Sequence, residues 1–222
     1  VSDMRPLAIL GGTFDPIHHG HLRAAWEAAE ALDAEVRLVP ARTPPHRPPP
    51  VADAAGRVAL LRAALAGQDR LRIDTRELDR EGPSYSVDTL ASLRAEIGPA
   101  RPLVLLVGAD AFAGLASWQR WRDLFTLAHV GVLNRPGVSH APSAELADFI
   151  AARRDARPQG PAGGVLDIAI TPLDIAATAI REAFTAGHEP RFLMPSACFD
   201  PPDLLAPYRA LAGAASPPPA AR

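Results

Sequence analysis

The amino-acid sequence predicts an α/β fold, doubly wound around a mostly parallel sheet with helices on both faces. Short apolar runs of strand length alternate with longer segments of helical spacing, the pattern of successive βαβ units. One run, "LVLLVG" at 103–108, is continuous in apolar residues, as a strand buried on both faces must be. The unusual polar residues, moreover, cluster just after the strand-like runs, where open α/β sheets bind ligands.

The elements follow in order. "LAIL" (7–10) is the first strand, and "HLRAAWEAAEAL" (21–32) is a helix with Leu22, Ala25, Trp26, Ala29 and Leu32 on one face. "VRLVP" (36–40) is the second strand, followed by the proline-rich loop "ARTPPHRPPP" and the helical "DAAGRVALLRAAL" (53–65). "LRIDT" (71–75) reads as a third strand, and "SVDTLASLRAEI" (86–97) as an amphipathic helix stopped by Gly98-Pro99. After "LVLLVG" come the helical "ADAFAGLASWQRWRDLFTLA", the strand "HVGVLN" (129–134) and a polar helix near "SAELADFIAARR". A Gly/Pro linker leads to the strand "VLDIAI" (165–170) and the helix "TAIREAFTAG" (178–187). Paired prolines in "PSACFDPPDLL" predict a broken or displaced terminal element. Residues 1–210 read as one domain, and 211–222 as a disordered tail, small and proline-rich.

Bulk properties narrow the function. With 222 residues, 48% hydrophobic and 22% charged, the chain is an ordinary globular protein able to bury a large core. A net charge of -2 provides no overall basic field, so nucleic acid is not an expected partner, and an anionic ligand needs local positive charge. A single cysteine, Cys198, excludes an intrachain disulfide, reads as an apolar filler, and fits a reducing cytoplasm. No run is long enough to span a bilayer and no signal pattern opens the chain, so a cytoplasmic location without a membrane partner is expected; a homo-oligomer is compatible with the sequence.

The most informative stretch is "GGTFDPIHHGH" (11–21), between the first strand and the first helix. Two glycines let the backbone pass close to a ligand, and a helix N-terminus presents free N–H groups and the positive end of a dipole. The stretch has neither the lysine of a G-x-x-x-x-G-K-[ST] loop nor the G-x-G-x-x-G glycines. His18 and His21, three residues apart at the helix start, can lie side by side and donate to a polyphosphate. A metal cluster of His18, His19 and His21 lacks a companion Cys or Glu at ligand spacing, and a structural helix start carrying incidental histidines is the third reading.

The same stretch resembles the G-G-T/S-F-D-P-I-H-x-G-H signature of the nucleotidyltransferase superfamily related to class I aminoacyl-tRNA synthetases. That resemblance implies a Rossmann-like nucleotidyltransferase sheet. Further segments are similar to one family, the bacterial nicotinate-nucleotide adenylyltransferases: "PARTPPHR", "GPSYSVDTL", "LLVGADAFAGLASWQRWRDL", "VLNRPG" and "DIAATAIREAF", in that order over residues 7–195. The resemblance implies transfer of the adenylyl group of ATP to nicotinate mononucleotide, giving nicotinate adenine dinucleotide and pyrophosphate. It implies His18, His21 and Arg181 as catalytic residues, and Gly11, Gly12, Thr13, Phe14, Gly108, Asp110 and Thr178 around ATP. Arg42, His46, Arg47, Tyr85, Ser86, Trp118 and Arg135 would hold nicotinate mononucleotide, with the pyridine stacked on Trp118. Mg2+ would ride mainly on the ATP phosphates, with no dedicated protein metal site.

Some residues read otherwise. Asp110 can also cap a helix, Trp121 reads as core, Arg23 and Arg37 as solvated face charges, and His129 and His140 carry no assigned role. Ala176 stands where the family commonly has serine, leaving Thr178 as the one hydroxyl in that turn. Pantetheine-phosphate adenylyltransferase shares the first motif and is the nearest rival, a cytidylyltransferase is a further one, and a nucleotide-binding relative impaired in turnover is the third.

Overall fold

The structure is a computed structural model that describes residues 5–42, 48–134, 141–155 and 157–214. Among them seven strands form one sheet: β1 (Leu7–Gly12), β2 (Glu35–Pro40), β3 (Leu71–Ile73), β4 (Leu103–Gly108), β5 (His129–Asn134), β6 (Arg154–Asp155) and β7 (Val165–Ala169). Their order is β3-β2-β1-β4-β5-β7-β6, and every pairing is parallel. The helices are α1 (His19–Leu32), α2 (Ala54–Ala64), α3 (Arg76–Asp79), α4 (Ser86–Ile97), α5 (Ala109–Ala113), α6 (Trp121–Leu127), α7 (Ala144–Ile150), α8 (Ala177–Thr185) and α9 (Ala206–Ala214). Four-residue α3 and two-residue β6 are too short for any periodicity, and the expected helix after β4 is broken into α5, a 3-10 turn and α6.

Alternate side chains of the central strands feed two cores. Ala8, Val104, Leu106 and Ile168 pack beneath α1, α2, α8 and α9. Leu7, Ile9, Leu103, Leu105 and Val107 pack on the other face against α4, α6 and α7. At about 1.5–3 kcal/mol for each large apolar side chain fully buried, these layers supply the main driving force for the sheet. The buried seam of α1 is rotated from the predicted face. It consists of Ala24, Ala25, Ala28 and Ala29, while Leu22, Trp26 and Leu32 flank it, half-buried. Small residues let this helix lie close on the sheet, and Trp26 is left at the rim, donating to Glu30 and covered by the Arg70 guanidinium.

Two polar side chains are structural. His129 is fully buried, accepts the Gly164 N–H at 2.9 Å through Nδ1 and faces the Gly160 carbonyl at 3.1 Å through Nε2. Burial pushes its pKa below the usual histidine value against the opposing pull of Gly160 and Asp155. Arg37 is not the solvated charge expected. It lies among Glu35 (3.0 Å), Asp74 (3.2 Å) and Glu96 (2.9 Å), tying β2 to the end of β3 and to α4. After α8 the chain breaks into 3-10 turns at Ser196–Cys198 and Pro202–Leu205 before α9 begins. Helix α9 runs to Ala214, four residues into the segment read as tail, with Leu211 packed on the core. Cys198 is buried there as a filler, its thiol pushed up to about 11 by burial.

Candidate active site

The strand order reverses between β1 and β4, which leave toward opposite sides of the sheet, and such a switch point opens a crevice at the strand carboxyl ends. Gly11 and Gly12 end β1, and Gly108 ends β4. A cleft of about 670 Å³ opens above them, walled by the loop after β1, the start of α1, Pro48–Val51, the start of α5 and the start of α8. Gly11, Gly12, Thr13, Phe14, His18, His21, Gly108, Asp110, Thr178 and Arg181 all line it. Residues separated by up to 170 positions are therefore brought together by topology alone.

The loop after β1 is tightly determined. Phe14 is buried and takes a left-handed backbone (φ 50°), a conformation disfavoured for a bulky residue and held here by the packing around it. A Cβ on Gly12 would come within 3.0 Å of that ring, so a glycine is required beneath it. Beyond the ring the chain is held by Asp15, whose buried carboxylate accepts from Val51 N (2.8 Å), Ala52 N (3.1 Å) and Tyr208 Oη (2.7 Å). Arg57 holds the other side. Its Nη1 donates to the Thr13 carbonyl (2.7 Å) and the Ala41 carbonyl (2.9 Å), clasping the loops after β1 and β2. The side chain is 1% exposed, and desolvation lowers its pKa, yet it remains a cation beneath the cleft floor.

His18 is the residue before α1, in extended backbone, and His21 lies one turn in. Their rings stack with centroids 3.7 Å apart, and Phe14 meets His21 edge-on at 5.1 Å. Both histidines thus face one side, toward the cleft. Gly20 makes this arrangement possible, because a Cβ there would sit 3.0 Å from His18 Nδ1 and 3.3 Å from the Ile175 carbonyl. His19 turns away, into a shallow groove with Leu22, Arg23 and Trp26.

Opposite stands α8. Arg181 Nη1 donates to the Asp15 main-chain carbonyl (2.6 Å), and Nη2 to Thr178 Oγ1 (3.2 Å). The residue before this helix is Ala176, which has no side chain able to cap it. At the far end of the cleft Thr171 is held through its N–H and hydroxyl by Glu27 of α1, both at 2.6 Å. Asp110 occupies the first turn of α5 rather than the capping position, which is Gly108.

Of the residues assigned to the acceptor, Arg42, Tyr85, Ser86 and Trp118 do not line this cleft. Arg42 donates from Nη1 to the Leu78 (3.4 Å) and Arg80 (3.1 Å) carbonyls, and its N–H reaches Ser84 Oγ (3.0 Å), so it pins the 78–84 loop. Tyr85 and Ser86 open α4, while Thr89 in the next turn donates to buried Glu77 (2.6 Å) and anchors that loop. Trp118 is half-buried against the second core, and Trp121 is inside it, edge-on to Phe125 and Phe149. His46, Arg47, Arg135 and His140 lie outside the described residues. Among the described residues no three His, Cys, Asp or Glu side chains converge to hold a metal, and Asp15 already accepts three donors.

Asp15, Arg57, Tyr208 and Pro48–Val51 were not anticipated from the sequence. Asp15 stood inside the recognised motif, and Arg57 sits among the buried Val58, Leu60 and Leu61 of α2, a charge on an apolar face. Nothing local marks Tyr208.

Known proteins resemble this chain in sequence and in fold. The cytidylyltransferase-like family matches residues 9–183. A protein of Halorhodospira halophila is 49% identical over 87% of this chain and 91% of its own length, and one of Pseudomonas putida 46% identical over 87% and 90%; each is described as a "probable nicotinate-nucleotide adenylyltransferase". Among solved structures, the Plasmodium falciparum nicotinic acid mononucleotide adenylyltransferase complexed with NaAD superposes with a TM-score of 0.68 over 94% of this chain and 98% of that one. At 14% identity that likeness speaks to the fold, a Rossmann-like nucleotidyltransferase sheet. Among the described residues no helix is long and apolar enough to cross a membrane.

Proposed function

The chain belongs to the nicotinate-nucleotide adenylyltransferases, nucleotidyltransferases of NAD biosynthesis, and we propose that its switch-point cleft is where ATP is held for adenylyl transfer to nicotinate mononucleotide. One observation carries the assignment of the cleft: two stacked histidines and one arginine, from opposite ends of the chain, converge over a glycine-floored helix start. Two imidazoles and a guanidinium directed at one cleft suit an anionic polyphosphate.

The chemistry follows from these groups. A phosphate oxygen of the mononucleotide forms a bond to the α-phosphorus of ATP. The bond from that phosphorus to the bridging oxygen breaks, and its electron pair leaves with pyrophosphate. The attacking phosphate monoester is already ionised at neutral pH, so no general base is needed. Catalysis then rests on in-line placement and on neutralising charge that builds on the leaving group. His18 and His21 donate to the phosphate chain, and Arg181 with Thr178 receives the β- and γ-phosphates. Gly11, Gly12, Thr13 and Phe14 let the triphosphate approach the backbone, while Gly108 and Asp110 meet the adenosine. Mg2+ bound to the ATP phosphates would supply further charge neutralisation. The acceptor lies beyond this cleft, toward Tyr85, Ser86 and Trp118, with Arg42 shaping the loop beside it and His46, Arg47 and Arg135 as anion ligands. The lone buried thiol of Cys198 suits a cytoplasmic setting.

Pyrophosphate release tests the reading. ATP with nicotinate mononucleotide should support turnover, and CTP or phosphopantetheine should not. Turnover with phosphopantetheine and none with nicotinate mononucleotide would overturn it, and ATP binding without pyrophosphate release would point to an impaired relative.

A further inference from the structure

The residue at the centre of the cleft's support is Asp15, and its least expected partner is Tyr208. Helix α9 follows a proline-broken segment 193 positions further along the chain. Yet the Tyr208 ring is fully buried and stacks on Phe184 of α8 at 5.8 Å, and its hydroxyl donates to Asp15 Oδ1 at 2.7 Å. Burial beside a carboxylate raises the phenol pKa far above its usual value, so the hydroxyl keeps its proton to donate.

Asp15 transmits this contact to both walls of the cleft. Its carboxylate holds the N–H groups of Val51 and Ala52, at the end of the Pro48–Val51 wall. Its main-chain carbonyl receives Arg181 Nη1 at 2.6 Å, and Arg181 lies one turn before Phe184, the residue under the Tyr208 ring. Tyr208 therefore touches the Arg181 helix with its ring and the residue that aims Arg181 with its hydroxyl. Tyr208 does not itself line the cleft, and meets it only through Asp15.

We propose that Tyr208 is a positioning residue for adenylyl transfer, its hydroxyl fixing Asp15 and through it Arg181 and the Pro48–Val51 wall. The inference rests on the function proposed above. Transition-state stabilisation by Arg181 depends on its placement, and a side chain about 1 Å out of place can cost a hundredfold. Tyr208→Phe keeps the stacked ring and removes only the donor.

The experiment measures pyrophosphate release from ATP and nicotinate mononucleotide, at a temperature well below each variant's melting midpoint. Tyr208→Phe should lower kcat about tenfold, as loss of one hydrogen bond to a charged group would do if expressed in the transition state. The KM for nicotinate mononucleotide should stay within about twofold, because Arg42, Tyr85, Ser86 and Trp118 do not line the cleft. In an Arg181→Ala background, assayed in single turnover with excess enzyme, the same substitution should change the rate less than about twofold, since residues acting as a unit are not additive. Unchanged kcat, or equal losses in both backgrounds, overturns the proposal and leaves the contact a matter of stability alone. Should Tyr208→Phe not fold, Asp15→Asn decides. It sets an amide N–H against the Val51 N–H and should reproduce both the kcat loss and the coupling to Arg181, and full activity would overturn the idea. Wild-type protein that releases no pyrophosphate would instead defeat the functional reading on which this stands.

Discussion

A single methyl group on Gly20 should separate turnover from stability. In Gly20→Ala the new Cβ meets His18 Nδ1 at 3.0 Å, His18 Cε1 at 3.1 Å and the Ile175 carbonyl at 3.3 Å. Comfortable contacts begin at about 3.5 Å, so the imidazole must retreat by about half an ångström. It cannot do so freely, because His21 is stacked on it at 3.7 Å and the ring is almost fully buried. The strain therefore falls on the pair of rings assigned to the phosphates. With roughly a hundredfold lost per ångström of misplacement, half an ångström corresponds to about tenfold in kcat. The fold should hardly notice, since alanine is favoured over glycine in a helix by up to about 1 kcal/mol, which offsets the crowding. The assay is pyrophosphate release at saturating ATP and nicotinate mononucleotide, beside a thermal melt. A variant with kcat within twofold of wild type would refute the placement of His18, and a melting point lowered by about 10 °C would show that the crowding was absorbed by the fold instead.

Three further outcomes follow from other residues. His18→Ala should cut turnover by about a hundredfold, as for loss of one preorganised donor, whereas His19→Ala, whose ring faces the Leu22–Trp26 groove, should stay within about threefold; equal losses would undo the assignment. Ala176→Ser supplies the missing cap of α8 and a hydroxyl in the cleft. It should add about 1 kcal/mol, seen as roughly 2–4 °C in a melting curve, and lower the KM for ATP severalfold. His129 is held neutral in the fold by burial, so below pH 6.5 the unfolded chain binds the extra proton and stability must fall as pH falls toward the depressed native value. The slope from this residue cannot exceed about 1.4 kcal/mol per pH unit, and urea melts of His129→Gln should show that part of the pH dependence removed.

The sheet and the histidine-bearing wall of the cleft were legible in the sequence because both are written locally. A continuous run such as "LVLLVG" declares a strand with two buried faces, and "GGTFDPIHHGH" carries floor, loop and histidines within eleven consecutive positions. The rotation of α1 was not legible, since leucine and tryptophan offer far more apolar surface to bury than alanine, and only the nearness of the sheet selects the alanines. The burial of Arg37 is hidden for a related reason: two of its three carboxylates, Asp74 and Glu96, come from distant segments, and such pairing leaves no trace in spacing. The supports of the cleft share that invisibility. Arg57 clasps carbonyls 44 and 16 positions away, Tyr208 reaches Asp15 across 193, and one clasp is to main-chain atoms that every residue type possesses.

The uniform direction of the strands has a practical side. Every strand finishes at the cleft rim, so β1 begins, at Leu7, about 20 Å away on the opposite rim. An affinity tag or fusion partner joined ahead of Leu7 would hang from the inert edge of the molecule. One joined behind α9 would tug on a helix anchored to the support of the cleft, which makes the front of the chain the better handle for immobilising or labelling it.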